Sequence, residues 1–380
     1  MNYADIMDSW LVQPLLVCAL CVFLAGVLIP QILLVSFRRR LFDMPDERKI
    51  HVGAVPRLGG IAFTPVVCFS LSLMLGFGYM FGSELVGDKM AINAQPVAFG
   101  FCALLLLYIV GMADDLIGVR YRAKFVIQLV CAVLLVLGGL ACVDLHGVLG
   151  LYDIPIWFGT ILTIIMVVYV VNAINLIDGI DGLASGLSGA AFLIYGISFG
   201  LIERPIYSML SFGCLGVLIP FFYYNVFGDP GRGKKIFMGD TGSLTIGLFL
   251  SFLGLAYLEY SRGEDLPIFG TNPMIVAISP LIIPCFDVVR VFMHRIRNHG
   301  NPFLPDKTHI HHKLLALGLR QRVAMVIIVL SAVFFSVFNI LLSRIIEINI
   351  LLIIDLSVWI AANYWLSYAI AKKKKIKKTK

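Results

Sequence analysis

Asn172-Ala173-Ile174-Asn175-Leu176-Ile177-Asp178-Gly179-Ile180-Asp181-Gly182 closes a long apolar run, Ile154 to Val171. Two amides and two carboxylates stand together at the end of a stretch that reads as membrane-spanning. An ionisable group at the bilayer centre costs about 3 kcal/mol even on the lenient insertion scale, so groups joined this tightly to a span are seldom passengers. If the segment stays helical, Asn172, Asn175, Asp178 and Asp181 follow at i, i+3 intervals down one side. That spacing predicts an oxygen-rich stripe facing one spot, as a hard cation or a sugar requires. The glycines allow the helix to end here and the backbone to approach a ligand closely.

The surrounding chain fits a membrane setting. Of its 380 residues 59% are hydrophobic and only 14% charged, against about 25% charged in soluble domains. Spans need about 20 apolar residues each. Eleven candidates lie near 11–36, 59–79, 93–113, 124–143, 154–175, 184–201, 206–227, 241–260, 272–293, 321–342 and 349–371. Strand-length alternation is absent, which argues against a barrel. The expectation is an all-α polytopic membrane protein: one transmembrane catalytic domain over 1–371 and a basic cytoplasmic tail over 372–380.

Orientation follows from the basic residues. With the N-terminus outside, the segments 37–58, 113–124, 172–187, 228–240, 290–322 and 372–380 share one side with 26 of the 30 Lys and Arg. Only Lys89, Arg204, Arg262 and Arg344 fall opposite, so the basic side and the C-terminus read as cytoplasmic. Topology alone thus accounts for the net charge of +7, and no nucleic-acid partner is implied. The eight cysteines lie in or beside apolar segments and read as packing residues. No cleavable signal peptide is expected, because the first apolar run is long and lacks a basic region before it.

The remaining polar clusters gather on the same side. The first loop carries Arg48-Lys49-Ile50-His51 and then Pro56-Arg57-Leu58-Gly59-Gly60, where paired glycines permit close backbone contact. Asp114-Asp115 ends the third segment; adjacent carboxylates persist as a charged pair mainly beside a cation or strong donors. Lys124 opens the fourth segment, well placed for a lipid phosphate, with Gln128 one turn beyond. The seventh ends at Asn225, and a glycine- and lysine-rich loop leads to Phe237-Met238-Gly239-Asp240-Thr241-Gly242-Ser243. Helix capping explains Asp240 in structural terms, but beside two other acidic clusters the stretch also suits a metal and a phosphate. Asp287 and Arg290 lie near the inner end of the ninth segment, followed by Arg295, Arg297 and the cluster His309-Ile310-His311-His312. No cysteine or acidic triad accompanies these histidines in zinc-enzyme spacing, so anion binding suits them better.

Carboxylates with Mg2+ and basic residues are the parts of phosphoryl transfer. In these motifs, from about Arg48 to His312, the chain resembles the polyprenyl-phosphate N-acetylhexosamine-1-phosphate transferases, glycosyltransferase family 4. The resemblance also takes in Pro302-Phe303-Leu304-Pro305-Asp306 and the last spans. It implies Mg2+-dependent transfer of a sugar 1-phosphate from a UDP-N-acetylhexosamine to undecaprenyl phosphate, with Mn2+ a conceivable substitute and UMP released. It implies a bacterial inner membrane, an active site on the cytoplasmic side, and a homodimer as one conceivable assembly. Asp240 would bind the metal, with Asn175 and Asp115 completing the site, and Asp114, Asp115 and Asp240 would be catalytic. Lys49, Arg57 and Lys124 would hold the lipid phosphate. Phe237 would stack on uracil; Asn172, Asp178, Asp181, Asn225, Arg295, Arg297, His309, His311 and His312 would contact nucleotide and sugar.

The muramyl-pentapeptide branch of the family has His-His-His-Phe-Glu and Thr-Pro-Thr-Met-Gly-Gly motifs. Here His-Ile-His-His and Val-Pro-Arg-Leu-Gly-Gly stand instead. The Gly-Arg-Gly-Lys-Lys loop before Phe237 is similar to the WecA-like branch, which starts O-antigen and related glycans. UDP-GlcNAc is therefore the expected donor, with the phospho-MurNAc-pentapeptide reaction as the alternative. A transporter, the rival of a different class, would place charges near mid-bilayer and show internal repeats.

Overall fold

The computed structural model describes residues 11–41, 55–80, 84–262, 270–298 and 308–378. Its elements are α1 (Val12–Arg39), a 3₁₀ turn Gly59–Ala62 running into α2 (Phe63–Met80), α3 (Glu84–Ile117), α4 (Tyr121–Leu137), α5 (Ile156–Ile177) and α6 (Leu183–Leu201). There follow α7 (Pro205–Phe222), continued by a π turn Tyr223–Phe227, then α8 (Gly239–Tyr260), α9 (Pro273–Ile278) and α10 (Ile282–Arg297). The last are α11 (Ile310–Ala316), α12 (Gln321–Leu342) and α13 (Ile348–Lys378). No strand forms among the described residues; the nearest thing is a single bridge, Asp144 to Asp153, at the end of the bundle away from the acidic motifs.

Ten stretches of helix among the described residues are long and apolar enough to cross a membrane. The eleventh expected span, 124–143, is shorter than its sequence suggested: α4 stops at Leu137, because Gly138 and Gly139 turn the chain and end it after 17 residues. Helix α13 runs unbroken through Lys372 to Lys375 and on to Lys378. Cys18 and Cys21 stand in C-x-x-C spacing on α1, yet all eight cysteines are free thiols.

One helix organises the rest. Every residue of α8 from Thr241 to Leu258 is buried, so the helix is apolar around its whole circumference, as a central rod must be. Helices α3, α5, α6 and α9 pack around it. Its small residues let backbones close in, the usual device where lipid supplies no hydrophobic drive between helices. A Cβ added at Gly247 would lie 2.7 Å from the Val171 Cα of α5, and one at Gly60 would lie 2.1 Å from the Gly242 backbone nitrogen.

Candidate active site

The chain folds so that α3, α4, α5 and α8 bring their polar ends to one place. Lys124 Nζ of α4 stands 2.7 Å from Asp240 Oδ2 and 3.1 Å from Asp114 Oδ2, bridging two helices. Asn175, in the last turn of α5, donates through Nδ2 to Asp240 Oδ1 (3.3 Å) and Ser243 Oγ (2.8 Å). Asp114 also accepts the Val119 N–H at 2.6 Å, which ties down the turn between α3 and α4.

Asp115 meets the head of α8. Its Oδ1 accepts the Asp240 N–H at 2.8 Å and its Oδ2 the Thr241 N–H at 2.9 Å, with the Thr241 hydroxyl donating too. The first N–H groups of a helix have no intrahelical acceptor and carry the positive end of its dipole. Asp115 therefore caps α8 from a neighbouring helix, while Asp240, in the first turn of α8, is left to face the cleft. Gly239 makes this possible: its φ is +73°, and a Cβ would lie 2.0 Å from the Arg57 carbonyl. The Pro56–Gly60 segment runs beside Phe237 and Met238 through backbone bonds of 2.8 to 3.0 Å.

Helix α5 ends at Ile177, so the predicted stripe breaks after Asn175, and Asp178 and Asp181 lie on the turn into α6. Asp178 is accessible yet recessed among the cleft walls. That crowding comes first and Asp181, Asp240 and Asp115 add repulsion against the pull of Arg57; together they push its carboxyl up to about 7. Asp181 is paired with Lys235, whose ammonium also sits 5.9 Å from the centre of the Phe237 ring. Within the cleft, Asp114, Asp115, Asp178, Asp181 and Asp240 outnumber Lys124, Lys235 and Arg57.

The histidines form the adjoining wall. His309 Nδ1 is 2.8 Å from Asp287 Oδ2, and Asp287, wholly buried, also accepts from Arg290 (2.7 Å) and from the Ile310 N–H (3.1 Å) that starts α11. The His311 ring lies parallel to that of His309, 5.7 Å away, and packs on the backbone of Gly179. Burial first, then His312 and His309, drives the His311 pKa down to about 3, so its ring is neutral. Asp287 is the site residue to which the sequence assigned no role, although an ionisable group inside a span was its signal.

Other expected residues fall elsewhere. Asn172 donates to Gln128 of α4 at 2.6 Å, joining two helices. Both ends of the Asn225 amide go to backbone: Oδ1 accepts the Gly182 N–H (2.6 Å) and Nδ2 donates to the Ile236 carbonyl (2.9 Å). Asn225 thus fastens two cleft loops together. Arg295 and Arg297 are in the last turn of α10, Arg297 exposed. Lys49, with Arg48, His51 and Pro302 to Asp306, lies outside the described residues.

No group of three or more His, Cys, Asp or Glu side chains among the described residues is arranged to hold a metal ion. A protein cage is not what a diphosphate-bound Mg2+ needs, since it takes one or two carboxylates and fills its shell with water and phosphate oxygens. The carboxylate surplus, with Asp240 half-buried at the cleft, fits that demand.

Membrane-length helices that deliver acids, lysines and histidines to one end of the bundle define a multi-pass membrane protein. Residues 97–258 match glycosyl transferase family 4. The chain is 34% identical over 304 residues to an undecaprenyl-phosphate alpha-N-acetylglucosaminyl 1-phosphate transferase of Pasteurella multocida (strain Pm70), 79% of this chain and 78% of the relative. It is 31% identical over 316 residues to that of Yersinia pestis (82% and 79%) and 30% over 300 residues to that of Salmonella typhi (78% and 75%). The chain belongs to glycosyl transferase family 4.

Proposed function

We propose that the protein transfers N-acetylglucosamine 1-phosphate from UDP-GlcNAc to undecaprenyl phosphate at the cytoplasmic face of a bacterial inner membrane, releasing UMP. The observation that carries this reading is the joining of Asp114, Lys124, Asn175 and Asp240 from four helices at one point. The relatives' shared activity supports acceptor and sugar, and the His-Ile-His-His and Arg-Leu-Gly-Gly motifs favour this branch over the muramyl one.

An oxygen of the lipid phosphate attacks the β-phosphorus of the donor directly; the bond from that phosphorus to the oxygen bridging the two phosphates breaks, and UMP leaves. The acceptor is already an anionic nucleophile, so positioning and charge neutralisation suffice. Lys124, between two carboxylates, is the cation placed to receive the acceptor phosphate, with Arg57 across the cleft. Asp240, assisted by Asn175, would hold Mg2+; Asp115 fixes the helix end that carries Asp240. Mg2+, when bound, would offset the charge of the donor diphosphate. Phe237 offers a ring for uracil, and Asp178 and the histidine wall would contact nucleoside and sugar. An apolar cavity of about 220 Å3 between α5, α8, α9 and α10, lined by Met166, Tyr169, Leu255, Ile282 and Cys285, suits the prenyl chain.

Purified protein assayed with undecaprenyl phosphate and a panel of UDP-sugars, scored by UMP release with and without EDTA, tests the reading. UDP-GlcNAc should lead the panel, chelation should stop turnover, and Asp240→Asn should lower it by about 10²–10³-fold without impairing insertion. Turnover that survives EDTA removes the metal, and a better UDP-sugar removes the donor assignment.

A further inference from the structure

A second apolar cavity, of about 410 Å3, lies on the other side of α10 from the one assigned to the prenyl chain. Its walls come from α10, α11, α12 and α13, with Ile283, Leu314, Phe335, Trp359, Ala362 and Leu366 among the lining. Two features set it apart from a packing defect. The Trp359 indole is nine-tenths buried, yet its Nε1–H has no acceptor. A buried donor without a partner is costly, so the indole is built for an acceptor that the chain does not supply. Lys313, on α11 beside Leu314, meets only neutral partners: Asn363 Oδ1 and Ser367 Oγ, each at 3.1 Å. No carboxylate among the described residues pairs with it, and burial with the nearby Arg290 charge draws its ammonium down to about 8. Lys372 to Lys375 follow on the same α13 that supplies Trp359, and Lys373 donates to the Leu317 carbonyl at the end of α11.

We infer that this cavity is a site for an anionic glycerophospholipid of the surrounding bilayer, held by its phosphate at Lys313, by an ester carbonyl at Trp359 and by an acyl chain between α12 and α13. Depth supports a diacyl lipid. Trp359 lies one turn below Asn363, about 6 Å along α13, whereas a polyprenyl phosphate has no hydrogen-bond acceptor below its head group. Charge selects the anionic class, since polybasic segments at a membrane surface attract such lipids.

The test is native mass spectrometry of the delipidated full-length protein given phosphatidylglycerol or phosphatidylcholine of matched chains, with undecaprenyl phosphate as competitor. Phosphatidylglycerol should be retained about fivefold more than phosphatidylcholine. Lys313→Gln should erase that preference, and Trp359→Phe, which keeps the ring and removes the donor, should weaken retention of both lipids. Ala362→Trp should fill the cavity and abolish retention. Equal retention of the two lipids by the wild type overturns the proposal, as does a preference untouched by Lys313→Gln. Displacement of phosphatidylglycerol by undecaprenyl phosphate overturns it too, and would make the cavity part of the acceptor path.

Discussion

Asp115 and Asp240 differ in what each carboxylate faces, and substitution should separate them. Asp115→Asn sets an NH2 group against backbone donors at the head of α8. It should lower stability in detergent by about 1–3 kcal/mol and reduce turnover as a consequence. Asp240→Asn should leave the melting temperature near that of the wild type while turnover collapses; thermal unfolding beside the UMP assay reads both. His311 makes a pH prediction. Its folded pKa is near 3 while the unfolded chain takes up a proton near 6.5, so unfolding binds a proton anywhere between. Stability is therefore full above about pH 6.5 and falls on acidification, by about 2 kcal/mol at pH 5 from this residue. His311→Asn should flatten that slope in pH-dependent melts. At this scale the sequence supplied the chemistry but not the assignments. Asp114 and Asp115 are adjacent and alike in the chain, and only the approach of α8 shows that one turns to Lys124 and the other to a helix end.

Among the elements, glycine placement distinguishes contact from free surface. A Cβ at Gly26 of α1 meets nothing within 4 Å, whereas one at Gly60 meets the Gly242 backbone. Gly26→Ala should stabilise by up to about 1 kcal/mol through helix propensity, and Gly60→Ala should push the start of α2 away from α8 and reduce the yield of folded protein. Size-exclusion profiles and melting temperatures of the two variants check this. The spans were legible because unbroken apolar runs announce themselves, as Ile154 to Val171 does. The early end of α4 was harder to read, since it rests on two residues, Gly138 and Gly139. Asn225 shows the limit: nothing in the sequence around this amide reveals that it clasps two loops.

For the whole molecule, the distribution of Lys and Arg predicts an external N-terminus and an internal C-terminus. A fluorescent protein fused after Lys380 should fluoresce, and alkaline phosphatase at the same place should be inactive; the reverse pattern would invert the topology and put the cleft on the wrong side for a nucleotide sugar. The gathering of distant motifs at one bundle end was foreseeable from the sidedness of their loops, but the Asp287–His309 pairing was not, since the two residues lie 22 apart in the chain. The enclosure of α8 on every side bears on how the proposed reaction would proceed. A rod wedged among α3, α5, α6 and α9 has little room to slide or rotate, which makes Asp240 the fixed point of the site. In the reaction proposed above, entry and exit of substrates would then fall to the outer pieces, the Asp178–Gly182 turn and the histidine-bearing α11, about a stationary anvil.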